Sequence, residues 1–353
     1  MRRLDRYIVS SVAGATLMVL LVVLSLDVVF GFIAELDELK LNYQIPQALL
    51  YVVTTLPRRI YDYLPVAAFI GSLIGLGALA NSSELVIIRA AGVSTLRIVW
   101  SAMKPAVAVV VIGLILGEYI APYTEEIAQS NRAIAQGAEH DISSHRGVWH
   151  REGDVFMHFN AVQPNGVLHG ITLMFYDKNQ WLEKTWFAKR AIYQREEWQL
   201  EDVSETKIFM DSTQTANYRA VAWETELTPG VLSTLIIKPD NLSISGLFTY
   251  AMYLLDQGLN ANNYLMAFWK KVLQPLATAV LVLVAISFVF GPLRSVTMGF
   301  RVFSGIVVGL LFKYMQDLLG PMSQVFGFNP VVATLAPILI CMVAGFYLLR
   351  RAR

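Results

Sequence analysis

Charge is scarce in this chain of 353 residues. Asp, Glu, Lys and Arg make up 16% of it, against 55% hydrophobic residues, and its mean hydropathy is +0.50. That balance excludes an ordinary soluble domain and points to an integral membrane protein. Cysteine is almost missing. Cys341 stands alone in an apolar run, which excludes a disulfide framework and a cysteine-rich metal site. The sequence has no GxxxxGK[ST] loop, so it does not hydrolyse ATP by itself; it also has no HExxH and no GxSxG. Its five histidines, His140, His145, His150, His158 and His169, have spacings that match no common zinc pattern. They read as strand or surface residues, with no metal site and no catalytic constellation. A net charge of +1 argues neither for nor against nucleic acid, since the basic residues gather at the ends of apolar runs rather than in one patch.

What is present is a set of six apolar runs, at about 11–34, 60–80, 98–121, 272–290, 302–319 and 331–349. Each is near the ~20 residues that cross a bilayer. Ala13-Gly14-Ala15 comes too early for a signal-peptidase site, so the first run reads as a retained anchor. Arg2, Arg3, Arg6, Arg89, Arg97, Lys104, Arg294, Arg301, Arg350, Arg351 and Arg353 fall on one side of these spans, and Glu35, Asp37 and Glu38 on the other. Basic loops face the cytosol, so both termini are expected there. The long segment between spans three and four then faces outward.

That segment, 122–265, opens with a polar helical piece, TEEIAQSNRAIAQG, and then turns β-rich. Val155, Met157, Phe159 and Ala161 alternate as in a strand with one buried face, and further short runs follow at 167–176, 183–193, 198–210 and 215–227. Glu152-Gly153-Asp154 and Asn165-Gly166 are turn signals. Strands at this spacing predict an all-β jelly roll or sandwich over about 145–227, with Trp181, Trp186 and Trp198 contributing to its core. The expected organisation is therefore spans one to three in 1–121, an inserted β domain in 122–265, and spans four to six in 266–353.

Between spans two and three lies NSSELVIIRAAGVSTLR. Asn81 with Glu84 reads as a capped helix start, and Gly92 as its end. A helix over 81–92 is too short and too charged to cross a membrane, so it is expected to lie at the cytosolic surface. There Glu84, Leu85, Ile88 and Arg89 would offer a partner both charged and apolar handles.

Charges inside or beside the spans are costly in lipid. Asp27, Arg58, Arg59, Glu118, Lys270, Lys271, Lys313 and Asp317 each fall in the outer half of the membrane or at its outer edge by a rise of ~1.5 Å per residue. Lys313 and Asp317, four apart, are expected to pair. In one reading the basic residues are interfacial anchors. In the other they rim a cavity that holds a phosphate-bearing amphiphile. Gly71 with Gly75, Gly113 with Gly117 and Gly305 with Gly309 show GxxxG spacing, which suits internal helix packing or a subunit seam.

Four stretches, LPRRIYDYLPVAAFIGSLIGLGALANSSELVIIRAAGVS, GEYIAP, LSISGLFTY and WKKVLQPLATAVLVLVAISFVFGPLRSVTMG, closely resemble the lipopolysaccharide-export permeases of the YjgP/YjgQ family. The likeness extends over essentially the full chain and leans toward the LptG rather than the LptF branch. The resemblance implies an inner-membrane permease of an ABC transport system, moving lipopolysaccharide toward a periplasmic bridge. The implied partners are an LptF-like sister permease of six spans, a cytosolic LptB-like ATPase dimer that binds the ATP and Mg, and a bitopic LptC-like jelly-roll protein. This chain itself would carry no cofactor. It also implies that the helix around Glu84 couples to the ATPase, and that Arg58 and Lys271 meet lipid phosphates. Asp27 departs from the family's basic residue in span one, and Lys313 is the candidate that compensates.

Two other functions fit parts of the sequence. A membrane enzyme modifying an envelope lipid would use Glu118 or Asp27 and the histidine-bearing domain. A non-transporting permease would transmit ATP hydrolysis outward, but has no use for a ring of cations.

Overall fold

The computed structural model describes residues 2–39, 43–136, 148–162, 167–194, 197–225, 227–228, 238–256, 260–290 and 296–351. It divides the chain into two compact units: Met1–Val29, Pro57–Ala121 and Ser243–Arg353 form one, Phe30–Leu56 and Pro122–Leu242 the other.

Among the described residues, six helices are long and apolar enough to cross a membrane: α1 (Arg2–Leu36), α3 (Leu56–Asn81), α5 (Thr95–Ile115) running on through a π-helical turn (Leu116–Ile120) into α6 (Ala121–Ala135), α8 (Asn262–Phe290), α9 (Met298–Phe326) and α10 (Pro330–Arg351). Three shorter helices accompany them: α2 (Ile45–Thr54), α4 (Glu84–Ala90) and α7 (Ile244–Asp256).

The packing of the helical unit explains the paired glycines. In lipid there is no hydrophobic drive between helices, so close van der Waals contact at small residues has to hold them together. A Cβ added at Gly71 would strike the backbone of Thr16, and one at Gly75 would lie 2.8 Å from Val12 Cα, so α3 and α1 meet backbone to backbone. Ser11 Oγ adds a 3.1 Å hydrogen bond to the Gly75 carbonyl. Gly305 and Gly309 accept Leu73 and Phe69 of the same α3, while Gly113 and Gly117 accept Leu64 and Tyr61. All three pairs therefore serve packing within the chain, with α3 as the hub. Phe69, Leu73, Leu76, Ile98, Leu281, Val282 and Ile286 are fully buried around it.

In the second unit, β1 (Val148–Glu152), β2 (Val155–Val162), β3 (Val167–Tyr176), β4 (Leu182–Gln194), β5 (Glu197–Ile208) and β6 (Thr213–Trp223) form one antiparallel sheet in sequence order. None of the crossovers of the expected jelly roll occurs among the described residues. A crease replaces them. Along one line from β2 to β6 the register skips a residue in each strand, at Asn160, Gly170, Lys189, Asp202 and Arg219, while the residues on either side pair. Gly170 (φ +59) and Asp202 (φ +52) on this line take left-handed backbone.

Across the crease the buried row changes parity: Ile171 to Leu168 on β3, Ala188 to Ala191 on β4, Val203 to Leu200 on β5. In a flat sheet those pairs would lie on opposite faces. Folding along the line turns both flanks inward, and Phe159 of one flank reaches Trp223 of the other, with ring centroids 6.2 Å apart. Trp198 is fully buried there, donating to the Leu227 carbonyl at 2.7 Å. Trp181, expected in the core, is 76% exposed at the β3–β4 turn, because it closes that turn rather than standing on a strand face. The Asn165-Gly166 turn, His140 and His145 lie outside the described residues.

Burial in the sheet pushes the imidazoles of His150 and His158 below their ordinary range. The folded unit therefore takes up protons at these two imidazoles less readily than the unfolded chain, which does so below about pH 6.5. Stability is therefore full above that value and falls as the pH drops through it. Five of the seven tryptophans lie in this unit. Fluorescence melting of the whole protein is expected at lower temperature at pH 5 than at pH 7.5, with the difference reduced in the His150→Gln, His158→Gln double variant.

Helix α2 lies between the first two apolar runs, at Ile45–Thr54. Its signals are a Pro in the first turn and a capping box between Gln44 and Gln47. Beside it Glu35 accepts from Tyr43 Oη at 2.7 Å and pairs with Arg132 at 3.1 Å, and the Arg132 guanidinium lies 5.0 Å from the Tyr51 ring centroid.

Candidate functional site

Arg58 and Arg59 open α3, at the helix end where the macrodipole disfavours cations, so each has a carboxylate nearby. Successive residues on a helix diverge by about 100°, and the two arginines face different neighbours. Arg59 turns to α1. It pairs with the Asp27 carboxylate, which also accepts from Tyr63 Oη at 2.7 Å. Arg58 pairs with Asp62 at 3.4 Å, one turn on.

Asp62 also lies in the fields of Lys271 and Lys270 of α8, and Lys270 reaches Asp317 of α9 at 3.4 Å. The expected single rim is therefore two clusters: Arg59, Asp27 and Tyr63 in one, and Arg58, Asp62, Lys270, Lys271 and Asp317 in the other. Asp317 takes Lys270 instead of Lys313, whose side chain is exposed. Helical spacing allowed the pair within α9, but packing brought the lysine of α8 to the same carboxylate.

Lys271 is 5% exposed. Its ammonium stands 5.2 Å from the Tyr61 ring centroid, a geometry that lowers the cost of a buried cation. Both side chains line a cleft walled by α3, α5, the π-helical turn, α8 and the start of α7. Gly113 and Gly117 leave room for it. Pro65 has no N–H to donate to the carbonyl of Tyr61 four residues before it, and Gln274 Nε2 donates there at 3.4 Å. Sequence reasoning missed Asp62, Tyr61 and Gln274. Only Asp62 carried a signal, its four-residue spacing from Arg58.

The segment after α3 departs from expectation at its start. Asn81 is the last residue of α3, not a cap. Ser83 precedes α4 in the left-handed region (φ +61), and Glu84 accepts from Ser82 Oγ at 2.8 Å. The end is as read: Gly92 has φ +85, and the N–H groups of Gly92 and Val93 return to the carbonyls of Arg89 and Ile88. Leu85 points inward, 4% exposed, with Ile88 packed beside it, while Val86 and Ile87 are exposed. Leu85 therefore anchors α4, and Val86 and Ile87 form its exposed apolar side beside Glu84 and the half-buried Arg89. Seven residues are too few for periodicity alone to decide that phase.

Glu118 sits in the π-helical turn and closes the N-terminus of α7. Its carboxylate accepts from the N–H groups of Ile244 (2.8 Å) and Ser245 (3.3 Å) and from Ser245 Oγ (2.6 Å). A carboxylate at a helix N-terminus satisfies orphan donors and meets the positive end of the dipole. This joins two motifs distant in sequence, GEYIAP and LSISGLFTY. The GPLRS motif at 291–295 lies outside the described residues.

A family model described as lipopolysaccharide export system permease LptF/LptG matches residues 6–351. The lipopolysaccharide export system permease protein LptG of Haemophilus influenzae is 37% identical over 353 residues, 99% of each chain. The LptG protein of Escherichia coli K12 is 35% identical over 355 residues, covering 99% of this chain and 98% of that one. The match runs through all six apolar helices and the creased sheet, and the chain therefore belongs to the LptF/LptG family of lipopolysaccharide export system permeases.

Proposed function

We propose that this chain is one of two permease subunits of an ABC exporter that draws lipopolysaccharide from the outer leaflet of the inner membrane and hands it toward a periplasmic bridge. Both termini and α4 face the cytosol, and the creased sheet faces the periplasm, in keeping with the bias of basic residues. The sister six-span permease is LptF-like, the motor is an LptB-like ATPase dimer that binds ATP and Mg, and an LptC-like bitopic protein receives the lipid beyond the membrane.

The observation that carries this reading is the charge pattern around Lys271. Cations embedded in the spans stand beside aspartates, Arg58 with Asp62 and Lys270 with Asp317, next to a nearly buried lysine on an apolar cleft. Such pairs are stable without a ligand, yet a phosphate with several acceptor oxygens can displace a carboxylate. Paired charges suit a site that must release its anion as well as bind it. Glu118, fully engaged at the start of α7, is not placed to act as an acid or base, which weighs against a lipid-modifying enzyme.

The test is co-purification from gently extracted membranes using a tag at the C-terminus. The expected result is recovery of an ATPase, a second six-span permease and lipopolysaccharide. In Glu84→Ala the ATPase should fall about tenfold or more, the loss of one charge-assisted contact. Retention of the ATPase and of lipid release in that variant would remove α4 from the docking role.

A further inference from the structure

We propose that Arg301 is the positioning residue that ties the segment carrying α4 to α9, so that movement of α4 is delivered along α9 to the Lys270–Asp317 ion pair. This rests on the docking role proposed for α4. Arg301 reads in the sequence as a loop cation that marks the cytosolic side. Instead it lies in the first turn of α9, 0% exposed, among the largest side chains that the protein buries completely.

Its guanidinium donates to the Gly77 carbonyl at 2.7 Å and to Asn81 Oδ1 at 3.2 Å. Both acceptors belong to the last turns of α3, where the negative end of the helix dipole favours a cation. Directly after Asn81 come Ser82 and the left-handed Ser83, and α4 starts at Glu84. A non-glycine residue at positive φ marks a joint that its surroundings must hold in place. Arg301 holds the α3 side of that joint from another helix.

The contact continues outward along α9. Gly305 and Gly309, one and two turns beyond Arg301, let α9 lie directly against Leu73 and Phe69 of α3. Sixteen residues past Arg301, roughly 24 Å along the helix, Asp317 holds Lys270 at 3.4 Å. One rigid element thus has one end on the joint of α4 and the other on the charged cluster beside Lys271. A packed helix that touches both places gives a contiguous physical route along which a shift at one end can bias the other.

The test uses the assembled permease and ATPase complex in vesicles loaded with lipopolysaccharide, measuring bound ATPase, ATP turnover and lipid released per ATP. Arg301→Gln is expected to keep the ATPase and its turnover while lowering lipid released per ATP by about tenfold, and Arg301→Lys to restore part of it. Asn81→Ala removes one acceptor through an exposed side chain and should lower the ratio by up to about fivefold.

An unchanged ratio in Arg301→Gln overturns the proposal. So does loss of the ATPase together with release, which would make Arg301 a structural anchor only. If Arg301→Gln fails to accumulate, Asn81→Ala decides: a lowered ratio supports the proposal and an unchanged one overturns it. Glu84→Ala, run in parallel, separates the two readings. If it leaves docking intact, the role of α4 fails; if it abolishes docking while the Arg301 variants have no effect, only the present proposal fails.

Discussion

Leucine in place of Gly71 is expected to prevent α1 from seating on α3 and to leave little folded protein. The reason is the closeness of the two backbones. A bare Cβ at Gly71 already meets Thr16 Cα, N and Oγ1, and backbone has no rotamer with which to move aside. Even Gly71→Ala is an overpacking change of about 1–3 kcal/mol. Leucine adds three more carbons in the same direction. Helix association in lipid depends on such contacts, so α1 must separate from the hub helix or tilt away from Val12 and Ser11 as well. Fluorescence-detected size exclusion of detergent-extracted protein after heating gives the measurement. The control is Gly14→Ala on α1, where an added Cβ meets nothing within 4 Å and no loss is expected. Equal thermal stability of Gly71→Leu and the parent would show that the two helices do not touch at this level.

Reversing two cations, Arg58→Glu with Lys271→Glu, should lower capture of lipopolysaccharide by about a hundredfold or more while the ATPase stays bound. Two charge-assisted contacts to phosphate at about 1.5–3 kcal/mol each give that scale, before any repulsion from the new carboxylates. The ATPase is unaffected in this reading because α4 begins 26 residues after Arg58 along the chain, at the far end of α3. Lys271→Glu also sets an acid beside Asp62, so a folding defect must be separated from a binding defect. Arg58→Met with Lys271→Met provides the separation: it removes both charges, keeps the length of the stems, and should also lose lipid while melting like the parent. Bound lipid measured by mass spectrometry of the purified complex reads the outcome. Wild-type lipid occupancy in both double variants would remove this cluster from the lipid path.

The broad architecture was open to reading from one dimension because it depends on local quantities. Hydrophobic runs near twenty residues give the spans, since the bilayer sets that length whatever the neighbours are. Alternation at 155–161 and the later β runs give strands, since the pleat has period two. Gly92 ends its helix by its own conformational freedom. The start of α4 was misread by two residues because Asn81 and Ser83 are both good capping residues, and only the burial of Leu85 selects the phase.

The site was legible as residue types but not as partners. Lys270, Lys271, Arg58 and Asp317 stand out because charge in a span is costly, yet spacing predicted Lys313 for Asp317 where packing supplied Lys270. Asp27 finds Arg59 and Tyr63 across 32 and 36 positions.

Composition and periodicity by themselves determined six apolar helices long enough to cross a membrane, an inserted β unit and charged residues within or beside those helices. Tertiary structure alone decided that Arg301 is buried against a carbonyl 224 positions away, that one glycine pair of α3 faces α1 while the other two pairs face α3, and that a meander closes a core by folding at Gly170 and Asp202. The physical reason is the same in each case. Helix and strand periods fix the direction in which a side chain leaves its own element, whereas the atom it meets there depends on how separate elements pack.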